Sequence, residues 1–471
     1  MSPLGDRWRL FVRLLALGSF GLCLLLPAPS SLPMEAWIPI RRSLGIFVLC
    51  LILWVFDALP LMVTSLLPLI LFPLLGVLSP AETYRLFGNE VIFFLLGVFI
   101  LASLVIRSGL SNRLAWTALR LWGRSPRRLL AATLLLPAFG SFWMSEHAVV
   151  AMLFPVVLEI ANVLDVHERH PRYGKGLFLA LAWGSVIGGV ATFLGGGRAP
   201  LAVNLLRNAT GLSVGFLQWM VATLPVVLVL LGVALVLLLR VVGSDLPQMA
   251  PIAELLETRR QTLGRMDRTE CGTALLMLLT VGAWIAVSEP LGGLAGVALL
   301  SCVVAFALGW LEWNDVEEDV NWGVLLMYGG AVTLGYALRA SGAAAWMASA
   351  FFGDWVRSPA LLIGALSLAA ILLTSAMSNA AVVALLTPIA LSQASSPEMA
   401  KLVTISVAVP AGLAFALPMA TPAIALAYSS GLLTMRDTVA TGAVLMAVSW
   451  VVFNLAVRFW FPLIEMAPAW S

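Results

Sequence analysis

The chain has 471 residues, of which 61% are apolar and 11% charged, and its formal net charge is +3. A soluble domain carries about a quarter charged residues, so this composition excludes an ordinary soluble protein. The small net charge gives no reason to expect a nucleic-acid partner. With a mean hydropathy of +1.00, the chain is predicted to be an all-α polytopic membrane protein, because backbone groups in lipid must be satisfied within helices.

Apolar runs predict about eleven transmembrane helices, since a helix needs about 20 residues to cross a bilayer. The predicted spans are 10–27, 44–59, 61–79, 90–107, 177–207, 214–240, 271–288, 292–310, 321–340, 402–429 and 437–463. Arg7, Arg9 and Arg13 precede an apolar stretch that runs to Leu26, and this pattern also resembles a signal peptide. We interpret it as a membrane helix, because a chain this hydrophobic inserts through its own spans.

Two further apolar regions, 129–164 and 359–393, are long enough for two helices each but are interrupted near the middle. The interruptions are Ser145-Glu146-His147 and Ser378-Asn379. Because the arms are mostly too short to cross a bilayer, the pattern predicts two re-entrant hairpins with tips inside the membrane. Two ordinary spans joined by a tight turn are the alternative.

Basic residues indicate the orientation. They cluster in 108–128 before the first hairpin, at Arg169, Arg172 and Lys175 after it, and in the polar loop 241–270. This pattern predicts that these segments and the N-terminus are cytoplasmic. Two features conflict with this assignment: Arg41 and Arg42 fall outside, and the acidic loop 311–320 falls inside without a basic residue.

The sequence contains an internal repeat. A shift of 233 positions aligns several Gly, Ser and Pro residues without a gap. The aligned pairs are Gly97 with Gly330, Ser108-Gly109 with Ser341-Gly342, Ser145 with Ser378, 148–151 with 381–384, and Pro155 with Pro388. Because an odd number of predicted spans separates the hairpins, the second must enter from the opposite face. Inverted repeats with broken helices are typical of secondary transporters.

Glycine and proline also interrupt one long span in each half, 177–207 and 402–429. The interruptions are Gly188-Gly189, 195–200, Pro410, Gly412, Pro418 and 420–422. Such residues free backbone carbonyl and amide groups, which in a protein-lined cavity bind ions or solutes. Close helix packing is the alternative interpretation.

These motifs resemble the divalent anion/sodium symporter family, which carries dicarboxylates, citrate or sulfate. The similar segments are 57–60, 72–77, 322–326 with Gly329-Gly330, the two hairpin tips and the two broken spans. The resemblance implies a homodimer with a scaffold domain and an elevator-type transport domain. The implied organisation is scaffold helices 1–89, first inverted repeat 90–240, cytoplasmic loop 241–270, linking scaffold helices 271–320 and second inverted repeat 321–471.

The second half matches the family's site better than the first. The resemblance implies a sodium site made by Thr374, the Met377 carbonyl, Asn379 and the Ala420 carbonyl. It implies that Ser378, Asn379, Thr421 and Pro422 face the anion. Ala380 and Ile424 depart from the family's Thr and Asn.

The first half retains Ser141, Ser145 and Gly195 at the positions of the family's first sodium site. It departs at Glu146, His147 and Arg198, three ionisable residues at membrane depth, where such residues indicate a functional site. We interpret Arg198 as a replacement for the first sodium ion and Glu146 as its partner, with Ser145, Glu146, His147 and Arg198 lining the substrate site. Three alternatives stay open: Arg198 holds the anion, Glu146 or His147 carries a proton, or the pair is structural.

The predicted function is secondary active transport of a small divalent anion, coupled to sodium in the second half, with proton coupling possible in the first. The predicted partners are the anion, the bilayer of the cell inner membrane and a second copy of the chain. No cofactor and no enzymatic activity are expected. A proton-driven or exchange carrier, a membrane enzyme using Glu146 and His147, and a non-transporting sensor are the competing functions.

Overall fold

The computed structural model describes residues 3–30, 32–56, 58–123, 125–286, 293–352, 358–417 and 420–466, and all regular structure within them is helical. Asp57, Arg124 and Pro418, which the sequence interpretation used, lie outside the described residues. Seven helices in the described ranges are long and apolar enough to cross a membrane by length and composition. The predicted all-helical membrane architecture is confirmed.

The N-terminal helices differ from two predicted spans. They are α1 Pro3–Leu25, α2 Met34–Val55, α3 Leu61–Thr64, α4 Leu67–Leu74 and α5 Pro80–Phe87. The prediction of 44–59 was wrong at its start, because Arg41 and Arg42 lie inside α2. Their guanidinium groups donate to the Leu26 and Leu75 carbonyls, respectively, at the ends of neighbouring helices. The predicted span 61–79 is split, because Ser65 and Leu66 separate α3 from α4.

The middle of the chain contains the segment predicted to be the first repeat and the segment predicted to link it to the second. The first repeat consists of α6 Glu90–Arg107, α7 Leu110–Trp122, α8 Pro126–Gly140, α9 Glu146–Val163, α10 Pro171–Gly188, α11 Arg198–Thr210 and α12 Phe216–Val242. The link consists of α13 Ala250–Leu263, α14 Arg268–Ala286, α15 Gly293–Ala307 and α16 Trp313–Asp319. The predicted loop 241–270 therefore contains a helix, α13, whose C-terminal carbonyl at Leu263 accepts a hydrogen bond from Arg113.

The segment predicted to be the second repeat has its helices in the same order. It consists of α17 Trp322–Ala340, α18 Ala343–Phe352, α19 Pro359–Thr374, α20 Asn379–Leu391, α21 Pro397–Ala408, a 3-10 helix Pro410–Gly412, α22 Pro422–Ser429, α23 Met435–Phe459 and a 3-10 helix Phe461–Ile464. The shift of 233 positions superposes the starts of α7, α8 and α9 on those of α18, α19 and α20. The turn glycines agree as well, since Gly109 and Gly342 have φ angles of +81° and +79°. The inverted orientation of the two units stays a prediction.

The hairpin tips lie earlier in the chain than the sequence suggested. Ser145 caps α9 by accepting a hydrogen bond from the Ala148 amide at 3.3 Å. Glu146 and His147 are therefore the first residues of a helix, and the interruption is 141–145. In the second hairpin Ser378 caps α20 through the Ala381 amide at 3.2 Å, so Asn379 is also helical. Both corrections have one cause, because a Ser at the N-cap satisfies the first free amides and starts the helix.

Ion pairs group the helix ends into two sets. At one end, Arg107 of α6 binds Glu318 at 2.8 Å and Asp319 at 2.6 Å. The acidic segment 311–320 therefore lies beside a cation from another helix. Its lack of basic residues no longer conflicts with a cytoplasmic position. Lys175 bonds Asp437 at 2.9 Å within the part of the chain predicted to be cytoplasmic.

Residues predicted to lie on the opposite face also meet one another. Arg207 at the end of α11 binds Glu90 at the start of α6 at 2.9 Å. Arg339 at the end of α17 donates to the Asn208 carbonyl at 2.9 Å. These contacts agree with the predicted sidedness, while the identity of the cytoplasmic face stays a prediction.

Candidate functional site

The hairpins and broken spans of the two halves interlock. The second arm of the first hairpin, α9, packs against α22, and the second arm of the other hairpin, α20, packs against α11. Each of these four helices begins at a break in the chain. A helix start has free amide groups and a partial positive charge, so the interlocked region contains several favourable positions for an anion.

A buried ion pair joins the first hairpin to the first broken span. Arg198 Nη1 donates to Glu146 Oε2 at 3.1 Å, and the two side chains are 3% and 1% exposed. The Glu146 amide also donates to the Gly195 carbonyl at 2.9 Å. The predicted pairing of Glu146 with Arg198 is therefore present, with Gly195 bound through its backbone.

The Arg198 guanidinium also contacts the second half. A β-carbon at Gly412 would overlap the Arg198 Nε, and a β-carbon at Gly196 would lie 2.6 Å from its Nη1. The guanidinium is thus packed between the break of the first span and the 3-10 turn of the second. Its Nη2 is buried and has no hydrogen-bond partner among the described residues.

Electrostatics explain why Arg198 requires a carboxylate. It is the first residue of α11, where the partial positive charge of a helix start disfavours a cation. Glu146 is the first residue of α9, where the same partial charge favours an anion. The start of α9 therefore stabilises the Glu146 carboxylate, and this carboxylate in turn offsets the repulsion between Arg198 and the start of α11.

His147 is only loosely associated with the pair. Its Nδ1 lies 3.9 Å from Glu146 Oε1, which is beyond hydrogen-bond distance, and its side chain is 47% exposed. Ser145 uses its hydroxyl to cap α9. Ser141 is fully buried, and its hydroxyl has no partner within the described ranges.

The predicted residues of the second half have local roles in the structure. The Thr374 hydroxyl donates to the Ala370 carbonyl at 2.8 Å within α19. The Thr421 hydroxyl accepts from the Ile424 amide and caps α22. Met377 and Ala420 are buried, Ser378 and Asn379 are half-buried, and Pro422 is exposed. In the described part of the chain, no hydrogen bond or ion pair joins these residues to Glu146 or Arg198.

The sequence interpretation missed two neighbours of the site, both on α17. The Tyr328 hydroxyl lies against Gly197, where a β-carbon would overlap it. The Met327 Sδ lies 3.9 Å from the Ser378 hydroxyl. One helix thus contacts the first break and the second hairpin tip. A tyrosine in an apolar span could have drawn attention, because a buried tyrosine hydroxyl usually needs a partner.

A cavity of about 1200 Å³ lies elsewhere, between α6, α11, α12, α14 and α15. Glu90, Asn204, Arg207 and Gln218 are among its lining residues, and none of the predicted site residues is. The residues of α11 that line it are Pro200, Val203, Asn204 and Arg207. By helical geometry these residues share the face of α11 opposite Arg198. The buried ionisable residues Glu146 and Arg198 therefore lie away from this cavity, and ionisable groups at membrane depth indicate the functional site.

The sequence profile of the family described as the sodium:sulfate symporter transmembrane region matches residues 7–466. The chain belongs to this family. The family predicted from the sequence motifs is thereby confirmed.

Among the relatives of this symporter-family protein is a Staphylococcus saprophyticus protein named sodium-dependent dicarboxylate transporter SdcS. It is 28% identical over 451 residues, which cover 89% of this chain and 86% of that protein. The Staphylococcus aureus (strain bovine RF122) protein of the same name is 27% identical over 477 residues, covering 94% and 90%. Both relatives are named as transporters, in agreement with the prediction that this chain is not an enzyme.

Two solved structures share the fold. The Alcanivorax borkumensis YdaH transporter, described as having an unusual topology, aligns with a TM-score of 0.53 and 14% identity over 99% of this chain and 100% of that one. Neisseria gonorrhoeae MtrF, described as illuminating a class of antimetabolite efflux pumps, aligns with a TM-score of 0.56 and 15% identity over 97% and 94%. At these identities the likeness shows the architecture of the symporter-family chain alone.

Proposed function

We propose that this protein is a secondary active transporter that carries a small divalent anion, of the dicarboxylate or sulfate class, together with sodium. The observation that carries the proposal is Arg198, a permanent cation buried at a break, with one guanidinium nitrogen on Glu146 and another unpartnered among the described residues. Such a nitrogen is a ready donor to carboxylate or sulfate oxygens. The names of the SdcS relatives support sodium and a dicarboxylate.

Charge balance favours a coupling ion. The Glu146–Arg198 pair is neutral overall, so it compensates neither charge of a dianion, and burial of an uncompensated charge is costly. We infer that sodium co-transported at the second-half site supplies part of the missing positive charge. The proposed oxygen ligands are the Thr374 hydroxyl, the Met377 and Ala420 carbonyls and the Asn379 side chain. The proposed anion contacts there are Ser378, Asn379, Thr421 and Pro422.

In the first half, Arg198 takes the place of a bound cation. Ser141, Ser145 and Gly195 then support the tip rather than hold sodium. A protonated Glu146 is a second possibility, because a proton there would free the Arg198 charge for the anion and couple transport to pH. The exposed His147 would relay that proton.

Three further features follow the family resemblance and are part of the proposal. They are a homodimeric assembly, elevator-type movement of the hairpins and broken spans relative to the scaffold, and location in the cell inner membrane with a cytoplasmic N-terminus.

Uptake into liposomes tests the function. Purified protein would be reconstituted and supplied with radiolabelled succinate or sulfate under a sodium gradient, with choline in place of sodium, or under a pH gradient alone. We expect saturable uptake that requires sodium and is abolished by Arg198→Met. Arg207→Met is the matched control, because Arg207 lies on the same helix but its side chain is 52% exposed.

The conditions separate the competing functions. Uptake driven by the pH gradient without sodium would replace sodium coupling with proton coupling. Absence of uptake of any tested anion by the wild type would refute transport and favour a sensor. Full activity of Arg198→Met would remove Arg198 from the anion site.

A further inference from the structure

We propose that Tyr328 binds the transported anion directly, its hydroxyl donating a hydrogen bond to a solute oxygen beside Arg198. This inference rests on the proposed transport function. It adds to the site a residue of α17, a helix outside both hairpins and both broken spans.

The position of Tyr328 is the first argument. Its side chain is buried, with 3% exposure, and its hydroxyl lies against Gly197, the residue immediately before Arg198. A β-carbon at Gly197 would overlap the hydroxyl and the ring carbon that bears it. The hydroxyl therefore reaches the backbone of the first break.

Two unused donors are the second argument. Arg198 Nη2 is buried and has no hydrogen-bond partner within the described part of the chain. The hydrogen bonds of the described residues do not include one from the Tyr328 hydroxyl. Tyrosine hydroxyls in buried sites usually have one. The Tyr328 hydroxyl lies against Gly197, and a β-carbon at Gly412 would lie 2.6 Å from Arg198 Nη2. Both donors therefore lie at the contact between the first break and the second half.

The chemistry of the two donors indicates the kind of ligand. Arg198 supplies a charged donor and Tyr328 a neutral one, and neither accepts from an anion. An oxyanion with at least two acceptor oxygens, such as a carboxylate group or sulfate, matches this pair. A cation or an apolar solute would leave both donors unused.

The packing of α17 holds Tyr328 in place. A β-carbon at Gly330 would overlap the Ser65 carbonyl, and one at Gly329 would overlap the Phe87 ring. These close contacts fix the helix against α3 and α5. Tyr328 is thus presented from a rigid element, which is how a specificity-determining donor is best positioned.

The test compares Tyr328→Phe with Tyr336→Phe, a half-buried tyrosine on the same helix. Phenylalanine keeps the ring and removes only the hydroxyl. We expect Tyr328→Phe to raise the KM for succinate or sulfate about tenfold, the loss typical of one hydrogen bond to a charged group. The thermal stability without anion, the half-saturating sodium concentration and the Tyr336→Phe variant should be unchanged.

A second variant makes the test independent of Tyr328 itself. Gly197→Ala places a methyl group where the hydroxyl now lies, so it should lower anion affinity in the same way. Anion-induced thermal stabilisation of both purified variants should fall in parallel with their transport affinity.

The outcomes are distinguishable. If the wild type transports the anion and Tyr328→Phe retains its KM within twofold, Tyr328 does not contact the solute while the proposed function stands. A loss of stability without anion, at unchanged KM, would assign Tyr328 a packing role and overturn the inference. If the wild type neither transports nor is stabilised by any tested anion, the proposed function and this inference both fail.

Discussion

Replacing Arg198 by Met should destabilise the protein more than most single substitutions. The substitution leaves Glu146 buried at 1% exposure, without the cation that now bonds it at 3.1 Å. Removal of one partner of a buried pair costs about 3–5 kcal/mol, because the remaining charge is uncompensated. We expect the lower end of this range, about 3 kcal/mol, because the pair is held by a single hydrogen bond and the α9 start partly stabilises the carboxylate.

A double-mutant cycle isolates this effect. Glu146→Gln/Arg198→Met leaves no buried charge, so it should be more stable than Arg198→Met alone. Unfolding in detergent would be followed by tryptophan fluorescence for the wild type, both single variants and the double variant. We expect a coupling free energy on the order of 1–3 kcal/mol.

Additive effects would refute the reasoning. If the changes in unfolding free energy of the two single variants are near zero and add up to that of the double variant, then the two side chains do not interact in the folded protein. Recovery of stability without recovery of transport would separate the role of the pair in folding from that of Arg198 in anion binding.

Three further substitutions test other parts of the structure. Ser145→Ala removes the cap of α9 and should lower the free energy of unfolding by about 1 kcal/mol, measured by denaturant unfolding in detergent. Gly188→Ala should reduce the thermal unfolding midpoint strongly, because its β-carbon would overlap a neighbouring backbone, whereas Gly232→Ala has open space and should be neutral. Hydrogen bonds from Arg107 hold the pKa of Asp319 below its ordinary value, so this carboxylate stabilises the fold above its unfolded pKa of about 3.9 and the contribution is lost as pH falls through the lower folded value. Asp319→Asn should therefore flatten the pH dependence of the unfolding midpoint below about pH 4, and an unchanged pH profile would contradict the assignment.

The sequence predicted the features that local chemistry controls. The interruptions of both hairpins follow from small and polar residues in apolar runs, although the caps made by Ser145 and Ser378 were not predicted. The ionisable residues at membrane depth indicated a pair, and Glu146 does bind Arg198. These predictions needed only the composition of short segments.

Features that depend on distant residues were not visible in the sequence. Hydropathy excluded Arg41 and Arg42 from a membrane helix, but carbonyls at other helix ends accept their hydrogen bonds. Helix α13 is polar, and a contact between Arg259 and the Trp116 ring, 5.4 Å from the guanidinium carbon to the ring centroid, helps to hold it. Tyr328 approaches Gly197 only because α17 packs beside the break.

The exchange of partners between the halves has a consequence for biosynthesis. Helix α9 packs against α22, and α11 packs against α20, so the N-terminal half leaves the ribosome long before its packing partners exist. Until then the Glu146–Arg198 pair, both members of which lie in this half, lacks the packing of the guanidinium against Gly412 of the second half. We therefore expect a nascent chain arrested before residue 359 to remain sensitive to protease and to quality control, and a chain expressed as two fragments, divided within 241–270, to reach its mature form only when both fragments share one membrane.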